Sequence, residues 1–482
     1  MATVAAKADF NFDRFYNVIN GNLETTPRTR HGVNPSTLQP NQEVPVASKE
    51  DVDRAVCGAR KGFQIWSQTP IDERRQAIIA FSESLAEHKA EFAKMLTTEQ
   101  GKPFSHAAGE VDASVKWLAD QARLSLPEET VEDTNDRTII TAFSPLGVAA
   151  AIVPWNFPIL LACGKIAPAL LAGNALILKP SPFTPYCGLK LAELGQRHFP
   201  PGVFQALSGE DDLGPMLTEH PDIDKISFTG STATGKRVLQ SCSKTMKRVT
   251  LELGGKDPAI ICGDVDLETT VPEIAQFVWA NSGQVCIAIK RVYVHTSVYA
   301  KFMKKFVEVT KSLVVADGFK NPNLGPLQNE MQYNRILSFL EDIERNRYQV
   351  APGTGNGGVK PGAGYFVTPT VVDNPPDNSM IVMDEPFGPI VPLLKWATED
   401  EVVARANDTR YGLGASVWSR DLARASRIAK RLNAGTVWIN THMALNPLAA
   451  FGGHKESGFG SEWGVEGLKS YCNTQTFFSK KI

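Results

Sequence analysis

Five short, almost wholly apolar runs recur along the first half of the chain: Val148 to Val153, Ala175 to Leu178, Val203 to Leu207, Ile226 to Phe228 and Val249 to Leu251. About 20 to 25 residues of helical texture separate each run from the next. Continuous apolar runs mark strands buried on both faces, and their alternation with helices marks βαβ units around a parallel sheet. The fold class is therefore α/β, and ligands are expected at the carboxyl ends of the strands. A second α/β stretch begins near Gly255 and carries Val292 to Val294, Gly364 to Val372, Ile390 to Leu394 and Val437 to Asn440. With 482 residues the chain exceeds the roughly 250 to 300 at which single cores stop growing, so this stretch reads as a separate domain.

The flanking segments differ in texture. Residues 49 to 125 read as long amphipathic helices, one of them from Ile71 to Phe92. Between Glu128 and Ser144 a polar turn, Glu132-Asp133-Thr134-Asn135-Asp136, precedes Thr138-Ile139-Ile140-Thr141-Ala142, which predicts a projecting hairpin. The glycine-rich stretch from Gly353 to Gly364 reads as a surface loop.

Charge and cysteine usage exclude several classes of function. Fifty basic residues balance 52 acidic ones, a net charge of −2, so nothing steers the chain to nucleic acid or an anionic membrane. No apolar run approaches the roughly 20 residues of a membrane span, and Met1 to Asp13 lacks the pattern of a secretion signal, so a cytoplasmic location is expected. Seven cysteines without a Cys-x-x-Cys, and eight histidines without a His-Glu-x-x-His, predict neither a disulfide framework nor a catalytic metal.

Three segments carry the chemistry: Pro154-Trp155-Asn156-Phe157-Pro158, Leu251-Glu252-Leu253-Gly254-Gly255-Lys256 and Ser282-Gly283-Gln284-Val285-Cys286-Ile287-Ala288. They supply an amide donor, a carboxylate at a strand end and a thiol. Acyl transfer through a thioester uses all three: sulfur attacks a carbonyl, a dipole holds the oxyanion, and a base activates the water that releases the acid. These segments resemble those of the aldehyde dehydrogenase superfamily, and the resemblance runs from Val33-Asn34-Pro35-Ser36-Thr37 through Phe451-Gly452-Gly453 to the C-terminal strand. It implies Cys286 as nucleophile, Glu252 as deacylating base and Asn156 as oxyanion donor. Glutamate at 252 favours hydrolysis to an acid over transfer to coenzyme A. The resemblance also implies a Rossmann-type cofactor domain (1–126 and 145–254), a catalytic domain (255–456), and an oligomerisation arm with a C-terminal strand (127–144 and 457–482), this strand being about Thr474 to Phe478. A homodimer or homotetramer is the implied assembly.

Phe228-Thr229-Gly230-Ser231-Thr232-Ala233-Thr234-Gly235-Lys236 follows a strand and opens a helix, where backbone amides and the helix dipole attract phosphate. The stretch also matches Gly-x-x-x-x-Gly-Lys, but Arg237 stands where a nucleotide hydrolase needs a hydroxyl for magnesium. A nucleotide hydrolase and a catalytically inactive structural homologue are the rival readings. By resemblance, Trp155, Lys179, Ser181, Pro182, Gly230, Ser231, Gly235, Leu253, Glu385 and Phe387 hold a nicotinamide cofactor. Many NAD-using relatives carry a glutamate where this chain has Pro182, so NAD and NADP stay open. Lys165 and Glu462 correspond to a proton relay, though surface helix and loop charges explain them equally well, and Ser461 replaces an arginine beside Glu462. The implied substrate tunnel is Phe157, Leu161, Gly164, Val285, Ile287, Met443, Leu445 and Phe451. With no carboxylate among them it predicts an apolar aliphatic or aromatic aldehyde. Gly164 is expected to widen the tunnel, and His442 is the residue that would recognise a polar or acidic substituent instead.

Overall fold

The computed structural model describes residues 3–4, 10–355 and 364–481. Its two main sheets correspond to the two α/β stretches. In the first, the strands Phe204–Ala206, Ala175–Lys179, Val148–Ile152, Lys225–Thr229 and Arg248–Glu252 run parallel in that spatial order. Val148–Ile152 reads Val-Ala-Ala-Ala-Ile and is buried throughout, small side chains letting helices pack closely on both faces. The second sheet is parallel throughout, ordered Thr370–Asp373, Ile390–Trp396, Ile289–His295, Asp257–Ile261, Gly414–Trp418 and Thr436–Ile439. The chain passes from one sheet to the other between Glu252 and Asp257.

Helices α1 (Lys49–Trp66), α2 (Ile71–Glu87), α3 (Lys89–Gln100), α4 (Phe104–Gln121) and α5 (Pro158–Leu171) enclose the first sheet. Helix α5 matters most for the site. Pro158 opens it, where a missing N–H costs nothing, and nearly every later residue is buried. Glu129–Asp133, Arg137–Pro145 and Cys472–Lys480 form an antiparallel three-stranded arm.

Several expectations need correction. The helix expected from Ile71 to Phe92 breaks at His88, where φ −99° and ψ 19° separate α2 from α3 without any glycine or proline to signal it. The strand expected over Gly364 to Val372 shrinks to Thr370–Asp373. Asp257–Ile261 and Gly414–Trp418 were not foreseen, because Gly-Gly-Lys and Tyr-Gly-Leu-Gly lead into them and read as loop. Gly458–Phe459, grouped by sequence with the arm, instead pairs antiparallel with Leu251 and Glu252 at the edge of the first sheet. Of the glycine-rich loop, residues 356–363 lie outside the described residues.

Candidate active site

Glu252 ends its strand, Asn156 follows the strand Val148–Ile152, and Lys179 ends the strand Ala175–Lys179. Three site residues thus stand at carboxyl ends of parallel strands, the place such sheets reserve for ligands. Cys286 approaches from the second sheet's side on a loop of unusual backbone. Asn281, Ser282 and Gly283 take positive φ in succession (48°, 58° and 74°). A β-carbon on Gly283 would stand 2.3 Å from the Gly388 carbonyl oxygen, so only glycine fits. The loop is strapped down: Ser282 Oγ donates to the Gly325 carbonyl (2.8 Å), Gln284 Nε2 donates to the Asn281 carbonyl (3.0 Å), and the Gln328 amide donates to Gln284 Oε1 (2.9 Å).

The Asn156 loop meets it directly. Asn156 Nδ2 donates to the Gln284 carbonyl (3.0 Å), which uses one amide hydrogen and leaves the other for a bound oxygen. From below, Lys102 Nζ donates to the Asn156 carbonyl (2.9 Å), forms a fully buried ion pair with Glu110, and lies 3.8 Å from the centre of the Phe157 ring. Glu110 Oε1 accepts the amides of Ile159 (3.0 Å) and Leu160 (3.2 Å), donors at the first turn of α5 that no helical bond can satisfy. Sequence reasoning missed Lys102 and Glu110. They lie in α4 and the turn before it, far from any motif.

Glu252 is the electrostatic opposite. It is buried, yet neither carboxyl oxygen has a hydrogen bond among the described residues. Burial, with the Glu462 carboxylate adding to it, pushes its pKa up to about 8, opposed by Lys165, the Cys286 thiol and the Thr229 hydroxyl. Burial and the Glu252 carboxylate push the Cys286 thiol up as well, while Lys290 pulls it down. Lys290 was also missed. Its ammonium donates to the Cys286 carbonyl and pairs with Glu385 at 3.1 Å. Lys165 and Glu462 are not the surface charges that sequence allowed: they form a buried ion pair, and Ser227 Oγ bonds both, at 3.0 Å each. Glu462 therefore has partners without the arginine that Ser461 replaces.

On the face beside the first sheet, Ser231 caps the helix Thr232–Ser243 by accepting the Thr234 amide (3.2 Å), and the first amides of that helix have no helical acceptor. Gly235 lies against Leu253, whose Cδ2 would be 2.6 Å from an added β-carbon. Gly230 donates its amide to the Glu252 carbonyl (3.1 Å). Lys236, the lysine of the Gly-x-x-x-x-Gly-Lys pattern, is ion-paired with Glu456 at 2.8 Å. The Lys179 ammonium is buried and reaches the Pro180 carbonyl at 3.5 Å; burial lowers its pKa to about 8, with Asp211 opposing and Arg30 reinforcing the shift. Arg30 Nη1 donates to the Pro182 carbonyl (2.8 Å), and Ser181 Oγ accepts the Phe183 amide (3.3 Å). Trp155 and Phe387 stand perpendicular with centroids 5.4 Å apart, and Glu385 accepts the Gly255 amide (3.1 Å). An amide-lined helix start, a buried cation and an aromatic pair fit the phosphates, ribose and ring of a dinucleotide. Among the described residues no three His, Cys, Asp or Glu side chains gather as a metal site.

Phe157, Val285, Ile287, Met443, Leu445 and Phe451 share one apolar cluster with Cys286. Leu161 is not in it; Leu160 is, together with Trp117 and Trp463, which were not foreseen. Gly164 does not widen the tunnel. The Trp463 indole occupies the space, with Nε1 2.7 Å from where a β-carbon would stand. His442 is no recogniser of acidic groups either. It is fully buried, its Nε2 is 2.7 Å from the Ile287 carbonyl oxygen, and burial lowers its pKa to about 3, so the ring is neutral.

A family model described as the aldehyde dehydrogenase family matches residues 23–477. An aldehyde dehydrogenase of a Fusarium species is 43% identical over 471 residues, covering 98% of this chain and 100% of its own. Human retinaldehyde dehydrogenase 3 is 38% identical over 453 residues, 92% of this chain and 88% of its own. The NAD+ complex of an aldehyde dehydrogenase from Bacillus cereus superposes with a TM-score of 0.94 at 34% identity, covering 98% of this chain and 97% of that one.

Proposed function

The chain belongs to the aldehyde dehydrogenase family and oxidises an aldehyde to a carboxylic acid with a nicotinamide cofactor; from that premise we propose how its residues divide the work. A nicotinamide dinucleotide, when bound, accepts the hydride that the aldehyde carbon gives up. Cys286 Sγ attacks that carbon, its thiol proton passing to Glu252. The oxyanion formed is held by the spare Asn156 Nδ2 hydrogen and the Cys286 backbone amide, an arrangement whose loss costs about 2.7 to 4 kcal/mol in other acyl-transfer enzymes. Once the carbon is at the thioester level, Glu252 takes a proton from water, the hydroxide adds, and the acid leaves as Cys286 recovers its sulfur. Lys165, Ser227 and Glu462 carry Glu252's first proton away between the two half-reactions.

One observation carries this reading: a buried carboxylate with no hydrogen bond among the described residues, beside a thiol whose loop is bonded to an amide donor. A general base needs its lone pairs available to the water it deprotonates. The test uses two variants. Cys286→Ala abolishes aldehyde oxidation while cofactor affinity persists. Glu252→Gln slows acylation, the thiol proton then leaving to solvent, and slows deacylation more, so one equivalent of reduced cofactor and an acyl adduct on Cys286 accumulate, detectable by intact mass. Fast acylation with neither burst nor adduct removes Glu252 from the role.

For the cofactor, we infer that Ser231, Gly230, Gly235 and Leu253 form the phosphate end, Lys179, Ser181 and Pro182 the adenosine ribose, and Trp155, Glu385 and Phe387 the nicotinamide end. The Lys179 and Arg30 cations beside Pro182, with Asp211 nearby, support use of both NAD and NADP. The substrate we propose is an apolar aliphatic or aromatic aldehyde, which the cluster around Cys286 supports. Betaine aldehyde and succinic semialdehyde would find no charge partner there, and higher catalytic efficiency for either than for hexanal and benzaldehyde overturns the proposal. For assembly, Phe478 (72% exposed) and Val131 (65%) on the arm support a second copy of the chain as the covering surface.

A further inference from the structure

Trp463 stands at a convergence of costs. Its φ of 59° and ψ of 168° fall in a backbone region occupied almost only by glycine. Its indole N–H is buried without a hydrogen bond among the described residues. Facing it, Gly164 is a glycine inside a buried helix, unfavourable against alanine at the same place. Exchanging the two, with a large side chain on α5 and glycine at 463, would fill the same volume at none of these costs. The present arrangement does something that such an exchange would not. Phe451 and Glu462 exchange backbone hydrogen bonds (2.8 and 2.7 Å), and the Gly467 amide donates to the Trp463 carbonyl (2.8 Å), so the indole is locked in place. It stacks on Phe451 (centroids 4.6 Å, interplanar angle 25°) and meets Trp117 edge-on at 5.1 Å. Glu462 and Lys165, the neighbours of Trp463 and Gly164, are ion-paired, so the wall is registered against α5 from both sides.

We propose that Trp463 is a specificity-determining residue that sets the width of the aldehyde pocket. Its indole, seated over the bare Cα of Gly164, limits the pocket to unbranched aliphatic and single-ring aromatic aldehydes and excludes fused-ring or branched ones. The proposal rests on the reading above that the apolar cluster around Cys286 receives the aldehyde.

The test compares kcat/KM for 2-naphthaldehyde and benzaldehyde in the wild type, Trp463→Gly, Trp463→Phe, Gly164→Ala and Phe157→Ala. A ratio of substrates is insensitive to losses common to both. Trp463→Gly suits the backbone and removes the wall; the naphthaldehyde-to-benzaldehyde ratio rises by ~10-fold or more, in the range that pocket volume buys elsewhere. Trp463→Phe, which retains an aromatic core, gives a smaller rise in the same direction. In Gly164→Ala the added β-carbon pushes the indole inward and the ratio falls. A ratio within twofold of wild type for both Trp463 variants, with Phe157→Ala shifting it, overturns the role of Trp463 and leaves the pocket standing. No shift in any variant overturns the pocket itself.

Discussion

Glu110 and Glu252 are both buried carboxylates within the first α/β unit, and they have opposite surroundings. Glu110 meets an ammonium and two backbone amides; Glu252 meets neither an ion-pair partner nor an amide among the described residues, only the Cys286 thiol and the Thr229 hydroxyl close by. Burial alone penalises both. The difference lies in what surrounds the charge, and it separates a carboxylate that holds the Asn156 loop in place from one left free to take a proton. Lys165 and Glu462 fall between these extremes, paired with each other yet close enough to Glu252 to act on its charge.

If that contrast is right, the two carboxylates fail differently. Glu252→Gln lowers steady-state turnover by ~10²- to 10⁴-fold, the usual worth of a general base, with stability held or improved; equal losses of turnover and melting temperature would break the comparison. Glu110→Gln does the reverse. It strands the Lys102 ammonium and costs about 3 to 5 kcal/mol of stability, as breaking one side of a buried pair does, measured by denaturant unfolding. pH sharpens the contrast. Because the folded pKa of Glu252 is raised from 4.5 to about 8, its neutral form stabilises the fold at low pH, and this contribution is lost as pH climbs through that window. Wild type therefore loses stability relative to Glu252→Gln between about pH 4.5 and 8 and runs parallel to it above, while wild-type kcat/KM rises towards pH 8 as the base ionises. The smallest effect concerns the cofactor face: Pro182→Glu shifts the ratio of efficiencies towards NAD by ~10-fold or less, by accepting the ribose hydroxyls and repelling a 2′-phosphate. An unchanged ratio would show that residue 182 does not read the ribose.

The parallel strands of the first sheet were legible because each is a continuous apolar run. Asn156, Glu252 and Cys286 were legible because their segments resemble those of the aldehyde dehydrogenase superfamily, with the Pro-bracketed Trp-Asn-Phe unusual in itself. Glu110 and Lys102 were not, since an acidic residue in an amphipathic helix and a lysine before Pro103 look like solvated charge until α5 is placed above them. Trp463 escaped notice for a related reason. Gly164 invites the inference of empty space, and what fills it comes from a residue nearly three hundred positions away, a pairing that neither periodicity nor local spacing encodes.

The pairing of Gly458–Phe459 with Leu251 and Glu252 bears on the order in which the enzyme comes into being. Chains fold from the amino end as they are made, so Cys286 and Asn156 exist in the growing polypeptide well before the strand that flanks the base, the carboxylate that pairs with Lys165, and the indole that walls the pocket. Those three features all arrive within residues 458–463. A nascent chain thus carries Asn156, Glu252 and Cys286 before the flanking strand, the partner of Lys165 and the indole that complete their surroundings.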